Sequence, residues 1–140
     1  MLVTIECEGS VEQGFSVRLR IGEEGRSPST EVSGRLPPAP DLNGLYLIWQ
    51  SAYRQLGDSF RIDAADNQVT NVSFRDRCTQ TAQDLVDRFN QWLGGASLRT
   101  LREQLVSEVA KKEPLRIILK TKDGLLRRLP WHTWDVLEKH

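Results

Sequence analysis

The side chains best suited to chemistry in this 140-residue chain are two cysteines, Cys7 and Cys78, and two histidines, His132 and His140. A thiol becomes a nucleophile when an imidazole within hydrogen-bond reach takes its proton. A small thiol hydrolase built on Cys78 and His132 is therefore the catalytic reading to weigh. Its surroundings in the sequence argue against it. Cys7 falls on the apolar side of an alternating run, Cys78 near the start of a helical pattern, and His132 between tryptophans. Cys78 is expected to be the more reactive thiol, because a helix N-terminus stabilises thiolate. A metal centre needs several His, Cys, Asp or Glu side chains at ligand spacing, and neither HExxH nor a cysteine pair matched with histidines occurs, so no metal is expected. Gly9, Gly14, Gly22 and Gly25 do not fall into GxGxxG or GxxxxGKS/T, which leaves no cradle for a phosphate-bearing cofactor. The paired carboxylates Glu23 and Glu24 read as a solvated turn. The expectation is a protein without catalytic residues or cofactors.

Charge and composition narrow the partners. Nineteen Lys and Arg balance nineteen Asp and Glu, which removes the global attraction that binders of phosphate backbones depend on, so nucleic acid is not expected. The balance is uneven along the chain. Residues 1–70 hold six basic and ten acidic side chains, a net of −4, and residues 71–140 hold thirteen and nine, a net of +4. Two cysteines cannot build a disulfide framework and read as packed thiols. No stretch approaches the ~18 apolar residues that cross a bilayer, and the start Met1-Leu2-Val3-Thr4-Ile5-Glu6 has neither the basic nor the apolar region of a secretion signal. A soluble cytoplasmic domain, one for the whole of residues 1–140, is expected.

Periodicity supplies the elements. Val3, Ile5 and Cys7 alternate with Thr4, Glu6 and Glu8; Phe15, Val17, Leu19 and Ile21 alternate with Ser16, Arg18 and Arg20. These are two half-buried strands, and Glu6 and Glu8 facing Arg18 and Arg20 favours antiparallel pairing. A weaker third run covers Thr30 to Leu36, and Pro37, Pro38 and Pro40 then force the chain out of the sheet. The first part is thus a β-meander over 1–36.

A helical part comes next, over 41–113. Asp41 caps a run carrying Leu42, Leu45, Trp49, Ala52, Tyr53 and Leu56, which Gly57 is expected to end. Residues 58–72 read as a loop with a short strand near Phe60 and Ile62. Ser73 and Asp76 have capping-box spacing before a stripe of Ala82, Leu85, Val86, Phe89, Trp92 and Leu93, closed by Gly94-Gly95. Ser97 is the expected cap of a third helix that ends at Lys111-Lys112 and Pro114.

The last part, 114–140, opens with Leu115 to Thr121, whose nearly unbroken apolar run suits a strand buried on both faces. After the turn Lys122-Asp123-Gly124, Pro130 begins a short helix over Trp131 to Leu137. The predicted architecture is α+β: an N-terminal antiparallel meander, central helices, and a C-terminal strand with a short helix. Two features of this end bear on partners. Trp131 and Trp134 lie three apart on one side of a helical turn, either as an exposed anchor or, with Leu129 and Leu137, closing the domain's own core. The basic stretch Arg116 to Arg128 suits an acidic surface or a solvated strand edge.

The order of strand Leu115 to Leu119, charged spacer Lys120 to Gly124, and Leu125-Leu126-Arg127-Arg128-Leu129-Pro130-Trp131-His132-Thr133-Trp134-Asp135-Val136-Leu137 resembles the opening of a CHAT domain, the caspase-like module of bacterial and often cyanobacterial proteins. His132 stands where that family commonly has glutamate. The resemblance spans about residues 113–138 and makes the preceding elements similar to the accessory region that some such proteins carry before the peptidase. It places that family's catalytic His and Cys after later strands, for which the three residues after Leu137 leave no room. It thus implies a non-catalytic accessory or regulatory domain, with Leu129, Pro130, Trp131 and Trp134 as docking elements and Ile117 and Leu119 as strand surface. The implied partner is protein: the peptidase domain itself, or a second copy paired through an exposed strand edge as a homodimer. The alternative is an independent interaction module whose helices over Ser73 to Lys112 bind a partner helix.

Overall fold

A strand with apolar residues on one side alone must lie on a sheet whose other face meets water, and the N-terminal runs do so. A computed structural model describes residues 1–61, 68–111 and 113–138. β1 (Leu2–Ser10), β2 (Gly14–Gly22) and β3 (Thr30–Leu36) form an antiparallel meander. β4 (Arg116–Thr121) joins it parallel to β1, so the order is β3-β2-β1-β4. Between β3 and β4 come α1 (Asp41–Arg61), α2 (Gln68–Leu93), a 3-10 turn (Ala96–Leu98) and α3 (Arg99–Ala110). After β4 come α4 (Gly124–Arg128), a second 3-10 turn (Trp131–Thr133) and α5 (Asp135–Glu138). The protein is α+β, as its periodicities require.

The chain divides into two compact units, Met1–Pro40 with Phe89–His140, and Asp41–Arg88. One boundary falls at the proline connector. The other falls at Arg88, inside α2, so the end of α2 and all of α3 belong with the sheet.

In the first unit Val3, Ile5 and Cys7 of β1 share one face with Phe15, Val17, Leu19 and Ile21 of β2, and all are buried. Phe89, Trp92 and Leu93 at the end of α2, and Leu98, Leu101, Leu105 and Val109 around α3, are buried in the same unit. Each such side chain contributes roughly 1.5–3 kcal/mol when removed from water. The Trp92 ring meets Phe15 edge-on at 5.8 Å between centroids, and its Nε1 donates to the Pro37 carbonyl at 2.8 Å, tying the helix to the chain leaving β3. α3 runs against β3 where Gly34 offers no side chain, and a Cβ there would come within 3.2 Å of Leu98.

The opposite sheet face is charged. Glu6 sits opposite Arg18 in the register, as expected, yet the ion pairs run diagonally: Arg20 reaches Glu6 at 3.4 Å, while Arg18 reaches Glu31 on β3 at 3.1 Å. Such half-exposed pairs contribute about 0–1 kcal/mol each, and they fix register more than stability.

In the second unit Leu42, Tyr46, Ala52 and Leu85 are buried, and Arg88 holds Asp41 at 2.6 Å, joining the first residue of α1 to α2. The rings of Tyr46, Trp49 and Tyr53 form a ladder along α1 with centroids 5.8 Å apart at each step. Leu47, Ile48 and Tyr53 are exposed.

Several expectations are corrected. α1 does not end at Gly57 but continues to Arg61, so Phe60 is helical and belongs to no strand. A glycine inside a helix costs only about 1 kcal/mol, and this one has no positive φ to terminate the helix. Ile62 lies outside the described residues, as do Lys112 and His140. α2 starts at Gln68 in place of Ser73; nothing from 68 to 93 is Pro or Gly, and a free capping signal does not oblige a helix to begin there. Ser97 caps nothing: it lies within the 3-10 turn, and the Leu98 N–H is satisfied by the Gly95 carbonyl. β4 is not buried on both faces, since Arg116 and Lys120 are exposed and Ile117, Ile118 and Leu119 are half-buried. The single helix expected after Pro130 is two short pieces, split because Trp134 is extended at φ −60°, ψ 126°.

Gly9 and Gly14, which flank the β1–β2 turn, have φ of 136° and 90°. A Cβ on Gly9 would lie 2.1 Å from the Gly14 carbonyl oxygen, and one on Gly14 would lie 2.6 Å from that of Leu36. Gly9→Ala and Gly14→Ala are expected to destabilise the first unit by about 2 kcal/mol or more in urea titrations. Gly57→Ala, with nothing within 4 Å of its Cβ, is expected to stabilise α1 by roughly 0.5–1 kcal/mol.

Candidate interaction site

The C-terminal segment is fastened into the first unit by a small set of polar contacts around the tryptophans. Asp123 caps α4 by accepting from the Leu126 N–H at 2.8 Å. α4 turns Leu126 inward and presents its carbonyl to the Trp131 indole N–H at 2.7 Å. Asn90, near the end of α2, clamps the backbone on either side of Trp134: its Nδ2 donates to the Thr133 carbonyl and its Oδ1 accepts from the Asp135 N–H, both at 3.0 Å. Arg102 of α3 holds the Asp135 carboxylate at 2.7 Å. The Trp131 ring stands edge-on between Phe89, at 5.1 Å, and Trp134, at 5.9 Å.

These contacts sort the expected docking residues. Leu129 and Trp134 are buried, Trp134 to 2% exposure, and they complete the unit's own core with Val136. Pro130 and Trp131 are half-buried at the surface of that cluster. His132 is exposed. The tryptophan spacing is therefore a core signal at Trp134 and a shared one at Trp131. Sequence reasoning missed Asn90, whose role depends on two backbone groups 43 and 45 residues away. No local pattern marks such a clamp.

Ile117 and Leu119 take a different position. They lie in register with Val3 and Ile5 and share their face of the sheet, yet they remain half-buried because β4 is the outermost strand. On the other face Arg116 and Lys120 are exposed around Ile118. Arg127 turns back from α4, and its guanidinium donates to the Thr121 carbonyl at the end of the strand. A cleft of about 890 Å³ opens at the carboxyl ends of β1 and β4, with Glu6, Glu8 and Asp123 facing Lys120, Lys122 and Arg127. Its charges are mixed, and its one thiol is Cys7.

Burial, and after it the nearby Glu6 charge, pushes the Cys7 thiol up to about 12. It is a protonated, inert group at neutral pH, a packed thiol as its place in the alternating run implies. Cys78 is half-buried in α2. Among the described residues no three His, Cys, Asp or Glu side chains converge as metal ligands, and no helix is long and apolar enough to cross a membrane. The chain matches no protein-family model, no curated protein and no solved structure.

Trp134 has its Nε1 buried with no hydrogen-bond partner among the described residues. Trp134→Ala is expected to lower stability by about 3–5 kcal/mol. Trp134→Phe, which also removes the unpaired donor, is expected to cost less than half as much in the same thermal or urea melts. A thiol held at about 12 rather than 9.0 exposes roughly a thousandfold less thiolate at pH 8. Iodoacetamide should therefore leave Cys7 unmodified in the folded chain and modify it in urea, as read by mass spectrometry. Because the unfolded thiol ionises near 9 and the folded one does not, this group's contribution to stability is lost as pH rises from 9 towards 12.

Proposed function

We propose that the chain is a non-catalytic accessory domain of a CHAT protein, acting in the cytoplasm by packing against, recruiting or restraining a caspase-like peptidase domain. The observation that carries the reading is the fold of residues 115–137. An apolar strand sits at the rim of a sheet and leads through a capped turn into the Leu-Pro-Trp segment, with half-buried Ile117 and Leu119 on one face. That is the arrangement from which a larger parallel sheet would continue. Ile117, Leu119 and the outer flank of Pro130 and Trp131 form the contact surface, while Leu129 and Trp134 hold that surface in place from the core. The partner is the peptidase domain.

A second reading has one observation in its favour. Because Leu126, Leu129, Trp134 and Val136 are buried in the first unit, the C-terminal segment also suits an independent interaction module that closes its own core. Isothermal titration of the folded chain into a caspase-like domain of the CHAT type separates the two. The accessory reading expects saturable one-to-one binding in the micromolar range or tighter and a change in peptidase turnover. A folded chain that neither binds nor alters turnover overturns it and leaves the independent module.

A further inference from the structure

We infer that the outer edge of β4 is a docking strand for an extended segment with an apolar, polar, apolar core flanked by acidic side chains, and that its occupant is not a second copy of this chain. The inference deepens the accessory reading by naming the surface and the chemistry of what it takes. In a parallel ladder alternate residues aim their backbone groups at the neighbouring strand. The Arg116 N–H donates to the Met1 carbonyl at 3.1 Å, so Arg116, Ile118 and Lys120 face β1. Ile117, Leu119 and Thr121 turn their N–H and C=O groups outward. The Thr121 carbonyl is taken by Arg127 at 2.8 Å, and β4 begins at Arg116, so the open edge within the strand runs from Ile117 through Leu119. An added strand would bond to those groups and lay apolar side chains beside the half-buried Ile117 and Leu119, extending the layer begun by Val3 and Ile5.

Charge selects the partner. Residues 115–128 carry five cations and one acid, Asp123. Lys120, Lys122 and Arg128 make no ion pair with any described residue, and Arg116 reaches Glu24 only at 3.5 Å. Glu6, opposite Lys120 in the register, is already held by Arg20 at 3.4 Å, so acidic groups opposite Arg116 and Lys120 meet positive charge that is only partly offset. The far edge of the sheet has no such bias: β3 alternates Glu31 with Arg35, and Glu31 is already held by Arg18 and Arg20. A closed two-fold pair of edges is antiparallel, and here its registers are poor. Centred on Ile118, it sets Arg116 against Lys120 twice. Centred on Leu119, it sets Arg116 against Lys122. Centred on Ile117, it runs Lys120 onto Pro114. Like charges directly opposite destabilise a strand pair.

Residue-resolved amide exchange on the full chain tests this with two peptides, acetyl-Ser-Glu-Val-Thr-Val-Glu-Ser-amide and its counterpart with Lys at both Glu positions. The acidic peptide should slow exchange at the Ile117 and Leu119 N–H groups and leave β3 unchanged, and it should bind at least about fivefold more tightly than the basic one. Lys120→Glu, an exposed change that spares the core, should abolish that ranking. Equal binding of the two peptides, or protection by neither, overturns the inference. So does protection of Ile117 and Leu119 that grows with protein concentration in the absence of peptide, which would make a second copy the occupant. A caspase-like domain that binds without slowing exchange at these two residues overturns the edge and leaves the accessory role standing; the predicted peptide ranking without any binding of that domain does the reverse.

Discussion

The first unit depends on the parallel pairing of β4 with β1. Parallel strands cannot be joined by a tight turn and need a long crossover, and here Leu2 is paired with Arg116, across nearly the whole chain. The contact even includes the N-terminus, where Met1 bonds to Pro114 at 3.4 Å through its ammonium and to the Arg116 N–H through its carbonyl. Loop-closure entropy grows only slowly with length, so such a pairing is tolerated once its apolar neighbours are in place. Those neighbours are Val3, Ile5 and Cys7 below and the segment from Leu126 to Val136 beyond. Without β4 the tryptophan cluster would have no strand to start from.

The same pairing sets what the edge can do. One sheet face is apolar and covered; the other is a mesh of Glu and Arg side chains whose charges offset one another across β1, β2 and β3. At β4 both patterns are left unfinished. The apolar layer reaches Ile117 and Leu119 but only half covers them, and the charged face gains Arg116, which reaches Glu24 at 3.5 Å, and Lys120, whose register neighbour Glu6 is shared with Arg20. Cations on an edge strand discourage pairing between identical chains. The same cations favour a partner of opposite charge, so protection against self-association and selection of a partner come from one set of side chains. Trp131 stands at the junction of core and surface, its ring packed on Phe89 and Trp134 and its indole N–H fixed by Leu126.

Much of this was legible in the residues. Strict alternation at Val3-Ile5-Cys7 and Phe15-Val17-Leu19-Ile21 determines faces because a one-residue slip would invert them, and the three prolines after Leu36 end the meander without ambiguity. The α+β class came from those runs and from the long helical stripes. What was not legible depended on distance. Ile117-Ile118-Leu119 reads as a doubly covered strand, and only the sheet order reveals that no strand among the described residues pairs with its outer side. Ser73 and Ser97 carry capping chemistry, but a cap is worth about 1 kcal/mol, too little to set a boundary when the surrounding residues continue the helix or the backbone meets its own needs. The i, i+3 spacing of Trp131 and Trp134 was compatible with core or interface, and burial assigned the second to the core.

Accessory, docking and edge readings all require that the strand and tryptophan segment belong to the sheet unit and are not a tail appended to it. Truncation after Glu113 removes β4, α4 and the tryptophan cluster together. The most direct test compares the truncated and full-length chains by near-ultraviolet circular dichroism and thermal melting. The truncated chain is predicted to lose the cooperative melt and the aromatic signal of the first unit. A truncated chain that melts cooperatively at the full-length temperature, with the Phe15 and Trp92 environment unchanged, would contradict that dependence.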